Sequence, residues 1–591
     1  MKARPDGPFR AWLSGQPEDR QSPWKGEFAR PRMLLRAMKP EEVRPLIREA
    51  EAQARSGRWV MMVLGYEAAP ALDAAFAARR RRRGMPLGWA AVFDGPRKSS
   101  NPRNARAETM AEPRWRPEMN YREYAAAVEK IQEYIRAGDI YQANFTFPLR
   151  ARFQGDARAW FEKLARRQPR GFHAYIEADE WRFLSFSPEL FFERRGGWLR
   201  TRPMKGTAAR GRWAEEDMAQ AERLRGSAKE QAENLMITDL LRNDMGRVAR
   251  AGTVRTGPLF AVEQHPTLWQ MTSGIEARLR PETTLEDCLA ALFPCGSVTG
   301  APKIRALQIL RERERGPRGL YTGAIGIVRP GGDCAFSVAI RTIELHAGTG
   351  GAIYGVGSGI THDAEAASEY RECLLKAEVL RSASGAADFH LFETMRLRRG
   401  KVLLWPEHRA RLRASARYFG WAWPAAKVDA AMAQLRRRYR RGDWRVRLEL
   451  HPEGQATATA QAMTDEPRRI WKVAWDTEPV DANEPGLFHK TSRRERYERA
   501  RARRPGHDDV LLWNERGEAT ESTLANLVAE FEDGRVTPPL ECGLLPGTLR
   551  ARLLAQGRIR ERVLRKTELE RARKLYLINS VRGWIEAEIK E

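Results

Sequence analysis

The feature that most constrains this chain is a run of small residues, SASGAA at 382–387, between a charged stretch with helical spacing and a strand-like segment that begins at Phe389. Such a run offers no side chains for a core, so 382–388 reads as a linker. It divides the 591 residues into parts of about 380 and about 200, each long enough for its own core. One small module cannot account for the chain. Upstream, 95–111 is polar, contains prolines and lacks periodicity, as expected of a surface connection. The expected organisation is an N-terminal lobe (1–110), a larger central region (111–381), the linker, and a smaller domain (389–591).

Local patterning predicts an α+β fold, with large β-sheets and flanking helices. Asn120 and Glu123 form a capping box, and Tyr124, Val128, Ile131 and Ile135 keep helical spacing until Gly138 ends the element. Residues 140–153 read as a strand, 227–241 and 363–380 as helices, and 323–328, 334–345 and 352–357 as strands. No internal repeat is visible.

Hydrophobic residues make up 42% and charged residues 30%, a globular composition. The longest apolar runs, such as WVMMVL at 59–64, fall far short of the ~20 residues of a membrane span, and residues 1–16 carry no export-type apolar region. Five widely spaced cysteines, none in CxxC, suggest neither a disulfide framework nor a zinc ribbon. A cytoplasmic protein without a membrane partner is the expectation. The net charge of +26 raises the question of nucleic acid, and the arginine runs 79–83 and 436–441 are the natural candidates. Arginine is spread along the whole chain and no nucleic-acid motif occurs, so a solvated surface without a nucleic-acid partner is expected.

Candidate chemistry is concentrated in a few motifs. Glu230 and Glu233 lie three apart on one predicted helix, and Glu369 and Glu372 lie three apart on another. Two such faces, opposed, would suit a hard divalent cation that shares an anionic substrate. The same residues also read as a helix cap (Ser227 with Glu230) and an i,i+4 ion pair (Glu372 with Lys376). In RPMKGT at 202–207, Lys205 precedes Gly206 and Thr207 after a strand, where backbone N–H groups can hold a carboxylate beside a nucleophilic amine. GSVTGAPK at 296–303 offers a glycine-rich turn entering a helix, which also reads as a simple structural turn.

Taken together, GDIYQAN (138–144), SPE (187–189), RPMKGT (202–207), AENLMITDLLRNDMGR (232–247), FPCGSVTGAPKIR (293–305), IRT (340–342) and the stretch 357–376 resemble the chorismate-utilising enzymes, and among them component I of the aminodeoxychorismate synthases. The resemblance implies Mg²⁺ at Glu233 and Glu372, with Glu230 and Glu369 reaching it through water. It implies Arg341 and Tyr321 on the enolpyruvyl carboxylate of chorismate, Gly206 and Thr207 as further substrate contacts, and Glu189 as the acid for the departing 4-hydroxyl. Lys205 matches a covalent nucleophile at C2, where anthranilate synthases usually carry Ala. Gln142 stands where isochorismate and salicylate synthases usually carry a water-activating Lys, and Gln270 where anthranilate synthase relatives have His. No cysteine lies in a glutaminase elbow, so ammonia from a separate glutamine amidotransferase subunit is implied.

A second set follows Phe389: HRARL (408–412), FHKTSRR (488–494), EATESTLANL (518–527), LPGTLR (545–550) and INSVRG (578–583). A lone lysine is by default a surface residue, but this set resembles the fold-type IV pyridoxal-phosphate (PLP) enzymes, most closely the aminodeoxychorismate lyases. The resemblance implies Lys490 as Schiff-base lysine, Arg411 and Thr548 on the phosphate, Glu521 on the pyridine nitrogen, and Ser580 near the cofactor. The usual first strands of that fold are missing before Phe389. The implied function is bifunctional: chorismate and ammonia to 4-amino-4-deoxychorismate, then loss of pyruvate to 4-aminobenzoate, an aromatic precursor of folate. The alternative is an anthranilate synthase component I-like enzyme fused to a PLP transaminase.

Overall fold

The computed structural model describes residues 9–14, 24–97, 112–168, 171–265, 268–377, 380, 389–464 and 469–590. Most of the 95–111 connection and the linker at 382–388 therefore lie outside the described residues. The chain divides into two compact units, residues 1–208 with 223–385, and 209–222 with 386–591.

The first unit contains two long antiparallel sheets. One runs in the order Gly300–Ala301, Gln142–Arg152, Gly351–Ile360, Thr342–His346, Trp181–Ser187, Phe172–Ala178, Phe9–Ser14, Gly26–Ala29. The other runs Arg255–Thr256, Ile275–Arg278, Trp198–Arg202, Leu190–Arg195, Cys334–Val338, Ala324–Val328, Trp59–Leu64, Gly88–Phe93, Met33–Ala37. Residues of 9–93 thus supply strands to both sheets. Phe9, Ala11, Phe172, Ile176 and Phe183 of the first pack with Met61, Val63, Trp89 and Ile325 of the second in one buried cluster. Along Trp59–Leu64 the alternate residues Val60, Met62 and Leu64 face a second cluster with the helices Val43–Arg55 and Leu285–Leu292. Burial on both faces explains why WVMMVL is apolar throughout.

The expected capping box at Asn120 and Glu123 opens the helix Tyr121–Arg136, and Ser227 caps Ala228–Gly246 through the Glu230 N–H. The strand expected at 140–153 is Gln142–Arg152. The helix expected at 363–380 is Ala366–Leu375. The strand expected at 334–345 is two strands, Cys334–Val338 and Thr342–His346, one in each sheet. The chain changes sheets at Arg341, whose backbone has φ +49°, and period-two patterning is blind to such a crossing because both halves keep alternation. In the 79–83 run, Arg82 forms an ion pair with buried Glu344 and Arg81 donates to three backbone carbonyls.

The second unit has a small sheet (Lys401–Val402, Leu391–Arg398, Asp443–Leu450, Ala456–Ala462) packed by the helices Trp405–Tyr418 and Ala425–Arg438. A larger sheet closes on itself, because Ala519–Ser522 pairs with both Asp509–Trp513 and Asn526–Phe531. Val473, Leu511, Leu527, Leu577 and Ile585 pack together in its core. Residues 209–222 belong to this unit: Arg210 pairs with Asp217 and donates to the Tyr418 carbonyl, and the Trp213 ring packs 5.0 Å from that of Phe488. No helix among the described residues is long and apolar enough to cross a membrane.

Candidate active sites

In the first unit, the strand Met204–Ala209 pairs with Leu268–Thr272 and carries Lys205 and Thr207 on one face, both half-buried. The backbone around Lys205 is held from two sides. Asn234 Nδ2 donates to the Lys205 carbonyl at 3.0 Å, and Gln270 Nε2 to that of Gly206 at 2.8 Å. Gly206 has φ +91°, which favours glycine, and a Cβ there would come within 3.1 Å of Glu230 Oε2 and of Met271 Cβ. At Gly359 a Cβ would lie 2.8 Å from Lys205 Nζ and 2.1 Å from Gln142 Nε2, so the bare backbone there makes room for both side chains.

Burial pushes the Lys205 amine down. Glu233, Glu372 and Glu189 oppose this, while Lys376 adds to it. Glu230 is pushed up to about 7 by burial and then by Glu233. Glu369 is also raised, by burial and Glu372. Burial acts upward on Glu372 too, yet Lys376, 2.8 Å away, and Lys205 and Lys229 hold it below its ordinary value. The four glutamates therefore act on one another electrostatically. Among the described residues, however, no three His, Cys, Asp or Glu side chains approach closely enough to hold a metal.

Glu189 is buried and pushed up to about 7 by desolvation, against a 2.7 Å hydrogen bond donated by Ser297 and the charge of Lys205. The Tyr321 ring lies on the backbone of Gly355, where a Cβ would be 2.2 Å from it, and its phenol is raised by burial. Burial lowers the Arg341 guanidinium. Tyr354 lies within electrostatic reach of both Tyr321 and Arg341.

In the second unit, Lys490, Arg411, Glu521, Thr548 and Ser580 all line one cavity of about 560 Å³. Lys490 is pushed down to about 8 by burial and Arg411, with Glu393 and Glu521 opposing. Glu521, on Ala519–Ser522, is pushed up to about 8 by burial; Tyr497 Oη donates to it at 3.1 Å and Asn526 Nδ2 at 3.2 Å. Arg411 donates to Glu393 through Nε and Nη2 and to the Pro546 carbonyl through Nη1, which aims the rest of its fork. Glu393, despite complete burial, is held down to about 2 by Arg411 and His408. His408 joins Glu393, 2.6 Å from Nδ1, to Thr548 Oγ1, 3.2 Å from Nε2. Thr548 opens the helix Thr548–Ala555, and a Cβ on Gly547 would lie 1.8 Å from Asn526 Oδ1. Ser580 Oγ donates to the Thr394 carbonyl at 3.1 Å.

Sequence reasoning missed Asn234, Ser297, Glu393, His408 and Tyr497 as functional groups. Each is a polar residue beside a motif residue in space. The available signal was a polar side chain at a position otherwise patterned as buried, as with Asn234 on the inner face of its helix.

The chain belongs to the chorismate binding enzymes: that family matches residues 18–382. Residues 390–588 match the class IV amino-transferases. An aminodeoxychorismate synthase component 1 from Klebsiella aerogenes is 43% identical over 258 residues, 44% of this chain and 57% of that protein. An anthranilate synthase component 1 from Aquifex aeolicus is 35% identical over 274 residues, 46% of this chain and 55% of that protein. The chain thus spans little more than half the length of these relatives. The crystal structure of anthranilate synthase component I from Streptococcus pneumoniae TIGR4 shares the fold, with a TM-score of 0.52 and 24% identity over 64% of this chain and 90% of that one.

Proposed function

We propose that the chain makes 4-aminobenzoate and pyruvate from chorismate and ammonia at two separate sites. The observation that carries this reading is Lys205: a lysine lowered by burial, in electrostatic reach of a protonatable Glu189, at the position where anthranilate-forming relatives usually have Ala. A neutral Lys205 amine forms a bond to C2 of chorismate while Glu189 gives a proton to the 4-hydroxyl, which leaves as water. Ammonia then bonds to C4, the Lys205–C2 bond breaks, and the enolpyruvyl group is retained. Arg341 and Tyr321 would hold that group's carboxylate. Ammonia would come from a separate glutaminase subunit.

The crowded, repelling carboxylates are the donor chemistry that a hard cation relieves, and Mg²⁺ held by Glu233 and Glu372, with Glu230 and Glu369 behind them, would neutralise the cluster and orient an anionic substrate. In the second unit the residues present fit PLP: a buried carboxylate for the ring nitrogen, an aimed guanidinium and a helix N-terminus for the phosphate, and an amine pushed down to about 8. The cofactor supplies an electron sink. Lys490 removes the C4 proton of 4-amino-4-deoxychorismate, the bond from C3 to the enolpyruvyl oxygen breaks, pyruvate leaves, and the ring becomes aromatic. Purified protein given chorismate, Mg²⁺, PLP and an ammonium salt should form 4-aminobenzoate and pyruvate, separated by chromatography. Anthranilate as the product would replace this reading with the alternative one.

A further inference from the structure

The cavity around Lys490 is lined by five arginines and one lysine but a single carboxylate, Glu521. Arg411 and Thr548 face the phosphate in the reading above, Glu521 the ring nitrogen, and Lys490 the carbonyl carbon. PLP accounts for Arg411 among these arginines, and Arg445 and Arg447 line the cavity beyond it.

The position of two of these arginines follows from strand geometry. On Asp443–Leu450, Val446, Leu448 and Leu450 point into the apolar cluster under the helices, so Arg445 and Arg447 point the other way, into the cavity. The register places Arg447 between Thr394 and Thr459, and Arg445 one row along, between Arg396 and Gln461. Two residues along a strand set their Cα atoms roughly 7 Å apart. The Arg447 guanidinium lies 4.0 Å from the centre of the Phe392 ring, and Lys490 Nζ lies 4.9 Å from the same centre. Arg447 is therefore the arginine of the pair near the reacting amine. Its Nε donates to Glu449 at 2.6 Å, and Arg445 Nη2 donates to Gln461 Oε1, so each side chain is anchored at one edge.

We infer that Arg447 and Arg445 read the two carboxylates of the substrate, Arg447 the enolpyruvyl carboxylate beside the reacting carbon and Arg445 the ring carboxylate one strand row away. The inference rests on the lyase reading of this cavity and deepens it. It makes the site selective for a dicarboxylate amine, whereas a site for simple amino acids needs one such contact.

The test uses the full-length holoenzyme supplied with 4-amino-4-deoxychorismate. Arg447→Ala and Arg445→Ala should each raise KM for pyruvate release roughly 10- to 100-fold, the scale of a lost charge-assisted hydrogen-bonded pair, and leave kcat within about threefold. Arg447→Lys should recover part of the loss. A second readout needs no turnover: in ammonium-free buffer, chorismate, which has both carboxylates but no amine, should perturb the visible band of the bound cofactor at concentrations at least about tenfold below benzoate, which has one. The Ala variants should lose that preference while retaining the band itself. Unchanged KM in both variants, or a loss of affinity equal for chorismate and benzoate, overturns the assignment of the arginines. Absence of pyruvate release by the parent protein overturns the lyase reading instead, and the chorismate and benzoate comparison then judges the arginines alone.

Discussion

Each unit carries a half-buried lysine in its candidate site, and the two lysines sit in opposite surroundings. Lys205 is faced by Glu233, Glu372 and Glu189, with Lys376 as the opposing cation. Lys490 is faced by Arg411 and Arg494, with Glu393 and Glu521 as the opposing anions. Burial is the largest cause that lowers both amines, in either setting. What differs is the charge each site lacks. The first has surplus carboxylate and suits a cation; the second has surplus guanidinium and suits phosphate and carboxylate ligands.

The sharpest way to break this contrast is to remove one lysine at a time. Lys490→Ala should abolish pyruvate and 4-aminobenzoate formation and the visible cofactor band, yet chorismate should still be consumed with ammonia and 4-amino-4-deoxychorismate should accumulate. Parent-rate 4-aminobenzoate from that variant would remove Lys490 from the chemistry of pyruvate release. Lys205→Ala should do the converse: amination falls by orders of magnitude, while the band and the release of pyruvate from supplied 4-amino-4-deoxychorismate persist.

Removing the acid rather than the nucleophile should cost less. Glu189→Gln keeps the Ser297 contact but has no proton to give, and amination should drop about 10²- to 10⁴-fold. Chelation probes the charge asymmetry itself. EDTA should stop amination and spare pyruvate release; equal sensitivity of both steps would show that surplus carboxylate in the first unit does not reflect a cation requirement.

The pH responses are smaller. Capture of PLP requires neutral Lys490. With its value pushed down to about 8 from 10.5, about a tenth of the amine is neutral at pH 7, against fewer than about one in a thousand for an exposed lysine. The rate of band formation should therefore rise with pH and level off above about 8. A rate still climbing at pH 10 would contradict the buried setting of Lys490. The smallest effect concerns Ser297, whose hydroxyl stabilises the charged form of Glu189. Ser297→Ala should raise the Glu189 value, moving the alkaline fall in amination upward by about one pH unit. Ser297→Thr should restore it. An unmoved limb would mean that Glu189 is not the group being titrated.

Many candidate residues of both sites are marked in the sequence, because a side chain beside a turn glycine or a helix cap leaves a local signature. RPMKGT marked Lys205 as a candidate, and the paired spacings of Glu230 with Glu233 and Glu369 with Glu372 marked two helix faces. The supporting contacts had no such signature. Gln270 reaches Gly206 across 64 residues, and Ser297 reaches Glu189 across 108. The strand Asp443–Leu450 in the small sheet of the second unit was not read from the sequence at all: Arg445 and Arg447 share a face of it, and the register with Leu391–Arg398 sets them beside Arg396 and Thr394.

The sequence by itself determined the division near residue 385, the α+β class, the two families of motif and the residues with reactive groups. All of these depend on composition, spacing and local backbone preference, which act over a few residues. The tertiary structure decided which polar groups meet, why Lys205 and Lys490 lose their ordinary basicity, how the chain crosses between sheets at Arg341, and that residues 209–222 pack with the second unit. Those outcomes depend on desolvation and on electrostatic and hydrogen-bond contacts between segments far apart in the chain, and these exist only once the segments are packed together.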